Sequence, residues 1–226
     1  MKGKLVPTIE EMFDLSYTRA AKIFEGKKYP WEVLPEIKDF ILELGKTLPA
    51  DEFDNPSEGV WIAKDAKVYP SAYIGSPCII DHGAEIRHCA FIRESAIVGK
   101  GTVVGNSCEL KNVILFDNVE TPHYNYVGDS VLGWHAHMGA GSVTSNVKSD
   151  RKLVVIKAES EEIPTNRKKV GAMLGDYVEV GCNSVLNPGT VIGPHSNVYP
   201  TSSFRGVVPA NSIYKDANNI VEKKEL

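Results

Sequence analysis

The chain has 226 residues, of which 42% are hydrophobic and 24% charged, and its net charge is −4. That apolar content is ample for a packed core and excludes a disordered chain, while the acidic balance excludes a general nucleic-acid binder, whose phosphate partner would demand a basic face. Four cysteines without a Cys-x-x-Cys pair read as reduced thiols, no apolar run approaches a membrane span, and Met1-Lys2-Gly3-Lys4 leads into an acidic segment, so a cytoplasmic protein without membrane contact is expected.

From the N-terminus, Thr8-Ile9-Glu10-Glu11 has the form of a capping box and predicts a helix running to about Phe24. A second helix is expected from about Trp31, with Ile37, Phe40, Ile41 and Leu44 at helical spacing, ending between Gly45 and Pro49. Pro56 to Gly59 then form a link into the next region. Residues 1–58 are therefore expected as a helical segment that covers the open end of a solenoid beginning at residue 59, with a partner-binding module as the competing reading.

Residues 59–210 carry the dominant pattern. Ile62, Val68, Ile74, Ile80, Ile86, Ile92, Val98, Val104, Leu110 and Phe116 stand six residues apart, and Ala66, Ala72, Cys78, Ala84, Ala90, Ala96, Thr102 and Cys108 come four residues after successive members of that series. A six-residue period fits neither a helix nor an alternating strand, so the chain must turn a corner every six residues, with small residues at the crowded inner corners. The predicted class is mainly β: a parallel β-helix of hexapeptide repeats whose stacked coils form an aliphatic ladder. The period returns in Leu174, Val180, Leu186, Ile192, Val198 and Phe204, with Val178, Ser184, Thr190, Ser196 and Ser202 in the companion slot. It breaks around Glu120 to Tyr126 and across Val147 to Lys169, the latter expected as a loop excursion that covers or completes a site. Residues 211–226 are read as a C-terminal tail.

The irregular stretches hold the residues with chemistry: Glu109-Leu110-Lys111-Asn112, Thr121-Pro122-His123-Tyr124-Asn125-Tyr126, and Gly139-Ala140-Gly141 through Asn146. On these motifs, and on Tyr29-Pro30-Trp31 before them, the chain resembles the acetyltransferase half of the bifunctional enzymes that acetylate glucosamine-1-phosphate and convert the product to UDP-N-acetylglucosamine. The resemblance implies a left-handed β-helix, a homotrimer with active sites between subunits, and acetyl-CoA as co-substrate without a required metal. No Gly-rich nucleotide-binding loop is present, so uridylyl transfer is not expected, and a separate nucleotidyltransferase is a conceivable partner.

The resemblance also implies roles. His123 would be the general base for the sugar amine, a task that suits an imidazole because imidazoles titrate near working pH. Glu109 would support that histidine, and the Ala140 N–H would donate to the developing oxyanion. Arg93 and Lys111 would bind the sugar phosphate; eighteen residues apart, they are expected to stack one above the other. Tyr126, His137 and Lys152 would complete the sugar site, while Asn146, Cys182 and Pro200 would lie on the coenzyme side. The basic run Arg167-Lys168-Lys169 is usually just a solvated face, but Lys168 and Lys169 could meet the coenzyme's phosphates. Taken singly, each residue reads as an ordinary solvated or turn residue. The joint match of Arg93, Glu109, Lys111, His123, Tyr126, Asn146 and Lys152 in type and spacing is what points to a site.

Three positions depart from the resemblance. His137, preceded by Trp134 and His135, stands where an Asn is usual, Cys182 stands for a Ser and Pro200 for an Ala. The same residues leave two competing functions open. One is a non-catalytic sugar-phosphate-binding scaffold or regulator. The other is a zinc enzyme like the γ-type carbonic anhydrases, with ligands drawn from His82, His88, His123, His135 and His137.

Overall fold

A computed structural model describes residues 5–224, so the N-terminal Met1–Lys4 stretch lies outside the described residues. Each hexapeptide gives one short strand and one corner, and the strands stack in parallel in three columns. Face one is built from Tyr73–Ile74, the first halves of Phe91–Val98, Glu109–Leu115 and Tyr126–Leu132, and then Val143–Thr144, Val185–Leu186 and Ser203–Phe204. Face two takes Val60–Ala63, Cys78–Ile80, the second halves of the same long strands, Ala172–Leu174, Thr190–Ile192 and Val207–Val208. Face three runs from Lys67–Val68 to Ser212–Asp216. Inside, Ile80, Ile86, Ile92, Val98, Val104 and Leu110 are wholly buried, as are Cys78 and Cys108 in the small-residue slots; burial pushes both thiols up and leaves them inert.

The ladder departs from the six-residue count at two successive coils, in which Tyr126 stands opposite Glu109 and Val143 opposite Tyr126. A bulge at Arg93–Glu94 sets Glu94 opposite Lys111, and from there Val98 pairs with Leu115 rather than with Phe116. Leu115 thus takes the inward place expected of Phe116, whose ring lies against Phe13 and Phe24 at centroid distances of 5.0 and 5.8 Å. For the same reason the break at Glu120 to Tyr126 is no gap: Glu120–His123 and Tyr126–Leu132 continue the stack in a coil one residue shorter.

The N-terminal segment differs from expectation twice. Only Ile9–Met12 (α1) is α-helical after the capping box, in which the Thr8 N–H donates to Glu11 Oε2 at 2.8 Å; the rest to Phe24 is two short 3₁₀ turns. The second helix, Ile37–Gly45 (α2), forms as expected. Neither covers the open end, where Val68 is exposed although Ile86 above it is buried. The segment lies along face two instead, because the outward row of that face, Ile79, Ile97, Ile114, Val131, Met173 and Val191, is entirely apolar and buried beneath it. α2 packs so closely there that a Cβ on Gly45 would sit 2.4 Å from the Trp61 indole. Tyr17 stacks on Trp134 at 3.5 Å, and buried Asp176 accepts from the N–H groups of Asp14 and Trp134 at 2.7 and 2.8 Å.

At each end one of the three faces is extended by an antiparallel strand. Phe53–Ser57 pairs with Val60–Ala63, and Ser212–Asp216 pairs with Asn219–Glu222. The expected tail is therefore part of the sheet, with Tyr214 stacked on Phe204 at 4.5 Å. The 147–169 excursion also has structure: Val155–Lys157 and Glu162–Pro164 form a hairpin that buries Val154 and Ile156 against Gly189.

Candidate functional site

His123 ends the strand Glu120–His123 at the corner between faces three and one, with its side chain exposed. Its position is held from inside. The buried Asn125 side chain accepts from the His123 N–H at 3.1 Å and donates to the carbonyls of Gly139 and Ser142 at 2.9 and 3.1 Å. This positioning residue was not singled out from the sequence; its signal was a polar side chain in the inner small-residue slot after Cys108. Below His123 the corner column continues through Ala140, Cys182 and Pro200, since Gly141 N–H donates to His123 O, Asn183 N–H to Ala140 O and Thr201 N–H to Cys182 O, at 2.8–2.9 Å. No hydrogen bond among the described residues engages the Ala140 N–H, which leaves a backbone donor at the corner next to His123.

Glu109 and Tyr126 are register partners on face one, one coil apart. Glu109 Oε1 accepts from Arg93 Nη1 at 3.1 Å, and no hydrogen bond joins it to the His123 ring among the described residues. The expected stacking of Arg93 on Lys111 does not form, because the bulge turns Arg93 toward Glu109 and leaves Glu94 opposite Lys111. Lys111 instead pairs with Asp129 at 3.1 Å, and Asp129 is almost wholly buried. Asn112 and Asn146 donate to the same carboxylate at 2.9 and 2.6 Å, and Asn146 also donates to the Tyr126 hydroxyl at 3.1 Å. Asp129 is thus a second residue that the sequence reading missed. Asn146, expected on the coenzyme side, belongs to this group. Burial, aided by the Asp129 and Glu109 charges, pushes the Tyr126 phenol up, so it stays neutral as a hydrogen-bonding group.

Lys152 lies in an exposed turn whose backbone bonds Asp150. Lys168 and Lys169 line a cleft of about 530 Å³ together with Lys111, and that cleft shares no lining residue with the one at Cys182 and Pro200. Among the described residues no three His, Cys, Asp or Glu side chains converge as a metal site requires; His82 bonds Asp65 and Glu52, His88 bonds Ser71, and His135 stacks on Tyr177.

A family model described as the GMPPB C-terminal domain matches residues 74–207, more than half of the chain. The chain belongs to that family. Among curated relatives, a bifunctional sugar-1-phosphate nucleotidylyltransferase/acetyltransferase of Sulfurisphaera tokodaii is 35% identical over 94 residues, covering 42% of this chain and 23% of the relative. The bifunctional protein GlmU of Methanococcus maripaludis is 32% identical over 120 residues, covering 53% of this chain and 29% of that protein. The chain thus spans less than a third of the length of these two relatives. Among solved structures, the acetyltransferase domain of PglB from Neisseria gonorrhoeae superposes with a TM-score of 0.36 at 17% identity, over 80% of this chain and 64% of that one, a likeness too loose to bear on the site.

Within the part matched to the GMPPB C-terminal domain, His137 sits on face three in a cleft of about 490 Å³ that also holds Glu179, Cys182, Asn197 and Pro200. It therefore adjoins the residues expected on the coenzyme side. Its Nδ1 lies 2.7 Å from Glu179 Oε2. That hydrogen bond, with the charges of Glu179 and Glu120, outweighs burial and raises the His137 pKa above the ordinary imidazole value of about 6.5. The pair's contribution to stability is then fully present below that ordinary value and is lost as pH rises through the raised one. An NMR titration is expected to show the His137 midpoint falling in Glu179→Gln; an unchanged midpoint would remove Glu179 as the cause.

Proposed function

We propose that this chain is an acetyl-CoA-dependent N-acetyltransferase acting on an amino-sugar-1-phosphate, with glucosamine-1-phosphate as the acceptor, in the supply of UDP-N-acetylglucosamine. The observation that carries the reading is the corner where the exposed His123 imidazole, its turn pinned by Asn125, adjoins the unengaged Ala140 N–H. A general base beside an oxyanion donor is what attack of an amine on a thioester needs. His123 takes the proton from the amine as the nitrogen bonds the carbonyl carbon; the Ala140 N–H stabilises the oxyanion; collapse expels the coenzyme thiolate. The likeness to a relative named a bifunctional sugar-1-phosphate nucleotidylyltransferase/acetyltransferase supports this reading, and so does the match of sugar-site residues in type and spacing.

The assembly proposed is a homotrimer with sites between neighbouring copies. Face one supports it with two exposed aromatic residues in contact, Tyr73 and Phe91, and Tyr124 is exposed beside His123. Arg93, Tyr126 and Lys152 would contact the sugar phosphate, and Cys182 and Pro200 the coenzyme arm. A second reading, a scaffold that binds sugar phosphate without turnover, is favoured by the engagement of Glu109 with Arg93 in place of His123.

The deciding experiment measures thiol release from acetyl-CoA with glucosamine-1-phosphate, galactosamine-1-phosphate and UDP-glucosamine. Release with glucosamine-1-phosphate is expected; release with none of the three would transfer the argument to the scaffold reading.

A further inference from the structure

Lys111, expected on a sugar phosphate, and Lys168 and Lys169, expected near the coenzyme's phosphates, line one cleft together with Lys38 of the N-terminal segment. Segments distant in sequence build it: α2 with Lys38 and the preceding Leu34 and Pro35, the neighbouring strands that carry Lys111 and Asp129, and the stretch 166–169 after the hairpin. Its floor is neutral, because the Lys111 charge is met by Asp129, whose oxygens also accept from Asn112 and Asn146. Around that floor stand Lys38, Arg167, Lys168 and Lys169, and none of the four has an ion pair among the described residues. The Arg167 Nε is buried without a hydrogen-bond partner, an uncompensated donor beside the cleft. Against them the cleft sets one further carboxylate, Glu94.

Four cations gathered in this way, on a chain whose net charge is −4, set up a local positive potential that favours an anion among them. The cleft volume of about 530 Å³ has room for more than one phosphate. We propose that this cleft binds a phosphate ester or diphosphate, with Lys38, Lys168 and Lys169 as its cationic contacts and the Lys111–Asp129 pair as its floor. Arg93, turned away to Glu109, is not part of it. The N-terminal segment thereby supplies a wall of a binding site as well as a cover for face two. Which reactant carries the phosphate, the amino sugar or the coenzyme, rests on the acetyl-transfer reading; anion binding does not.

The test is calorimetric titration of the intact protein with inorganic pyrophosphate, glucosamine-1-phosphate and coenzyme A, at low and at physiological salt. Two variants are compared, Lys168→Gln with Lys169→Gln, and Lys38→Gln, all at exposed positions where folding is not at stake. Pyrophosphate is expected to bind in a salt-sensitive manner and to lose at least about tenfold in affinity in the double variant, since charge-assisted contacts are the strong ones. A parallel loss for glucosamine-1-phosphate alone names the sugar phosphate as occupant, and a loss for coenzyme A alone names the coenzyme. No pyrophosphate binding by the wild type, or equal binding by wild type and both variants, overturns the proposal. Binding is read without turnover, so a protein that binds pyrophosphate yet releases no thiol would refute acetyl transfer and leave this site standing.

Discussion

His123→Ala is expected to lower acetyl transfer by about 10² to 10⁴, the range for losing a positioned general base. The loss should fall on turnover and not on folding, because the ring is exposed and the turn is held by Asn125 through the backbone N–H, which alanine keeps. Thiol-release rates beside thermal melts separate the two: unchanged melting with crippled turnover is the expected pair of results. An alanine variant that keeps full rate would remove His123 from the chemistry, and with it the reading of the corner as an active site.

Arg19→Ala is expected to cost about 3–5 kcal/mol of stability, the range for breaking a buried ion pair by removing one partner. Arg19 Nε and Nη2 grip Asp81 Oδ2 and Oδ1 at 2.7 and 2.8 Å, and Asp81 is only 1% exposed. The contact fastens the N-terminal segment to the corner between faces two and three, and the guanidinium also lies 5.2 Å from the centre of the Phe53 ring. Alanine leaves the Asp81 carboxylate with the His82 N–H and no cation. Urea unfolding measures the loss, and a double-mutant cycle with Asp81→Ala should show the double variant losing less than the sum of the single ones, because the stranded charge is gone. Simple additivity would mean that the pair contributes nothing as a pair.

Much of this architecture is legible in the repeat. Inward positions such as Ile80, Ile86 and Ile92 sit where a six-residue period puts them, because each coil must bury one aliphatic per strand against its copies above and below. The covering of face two is legible too. Ile79-Ile80, Ile97-Val98, Ile114-Leu115, Val131-Leu132 and Val191-Ile192 are apolar doublets, and strands buried on both sides carry apolar residues on both sides. The capping box at Thr8 was correct locally, yet a helix to Phe24 did not form. Phe13 is extended, and the Asp14 side chain accepts from the Ser16 N–H to start a separate short turn, a local bond that competes with helix continuation.

The site divides along the same line. By itself the sequence determined the stacked β-coils and the small inner corners, which rest on residue type and count along the chain, while His123, Glu109, Ala140 and Lys111 stand out through the family resemblance. The tertiary structure alone decided which of them meet. A bulge at Arg93–Glu94 moves the partners on the coils up to the hairpin by one residue, with Arg93 bonded to Glu109 and Lys111 to Asp129, and a one-residue slip is invisible to a period read from aliphatic side chains that tolerate it. Likewise Lys38 meets Lys168 and Lys169 only because an apolar face drew α2 onto the solenoid, a contact set by burial between segments far apart in sequence.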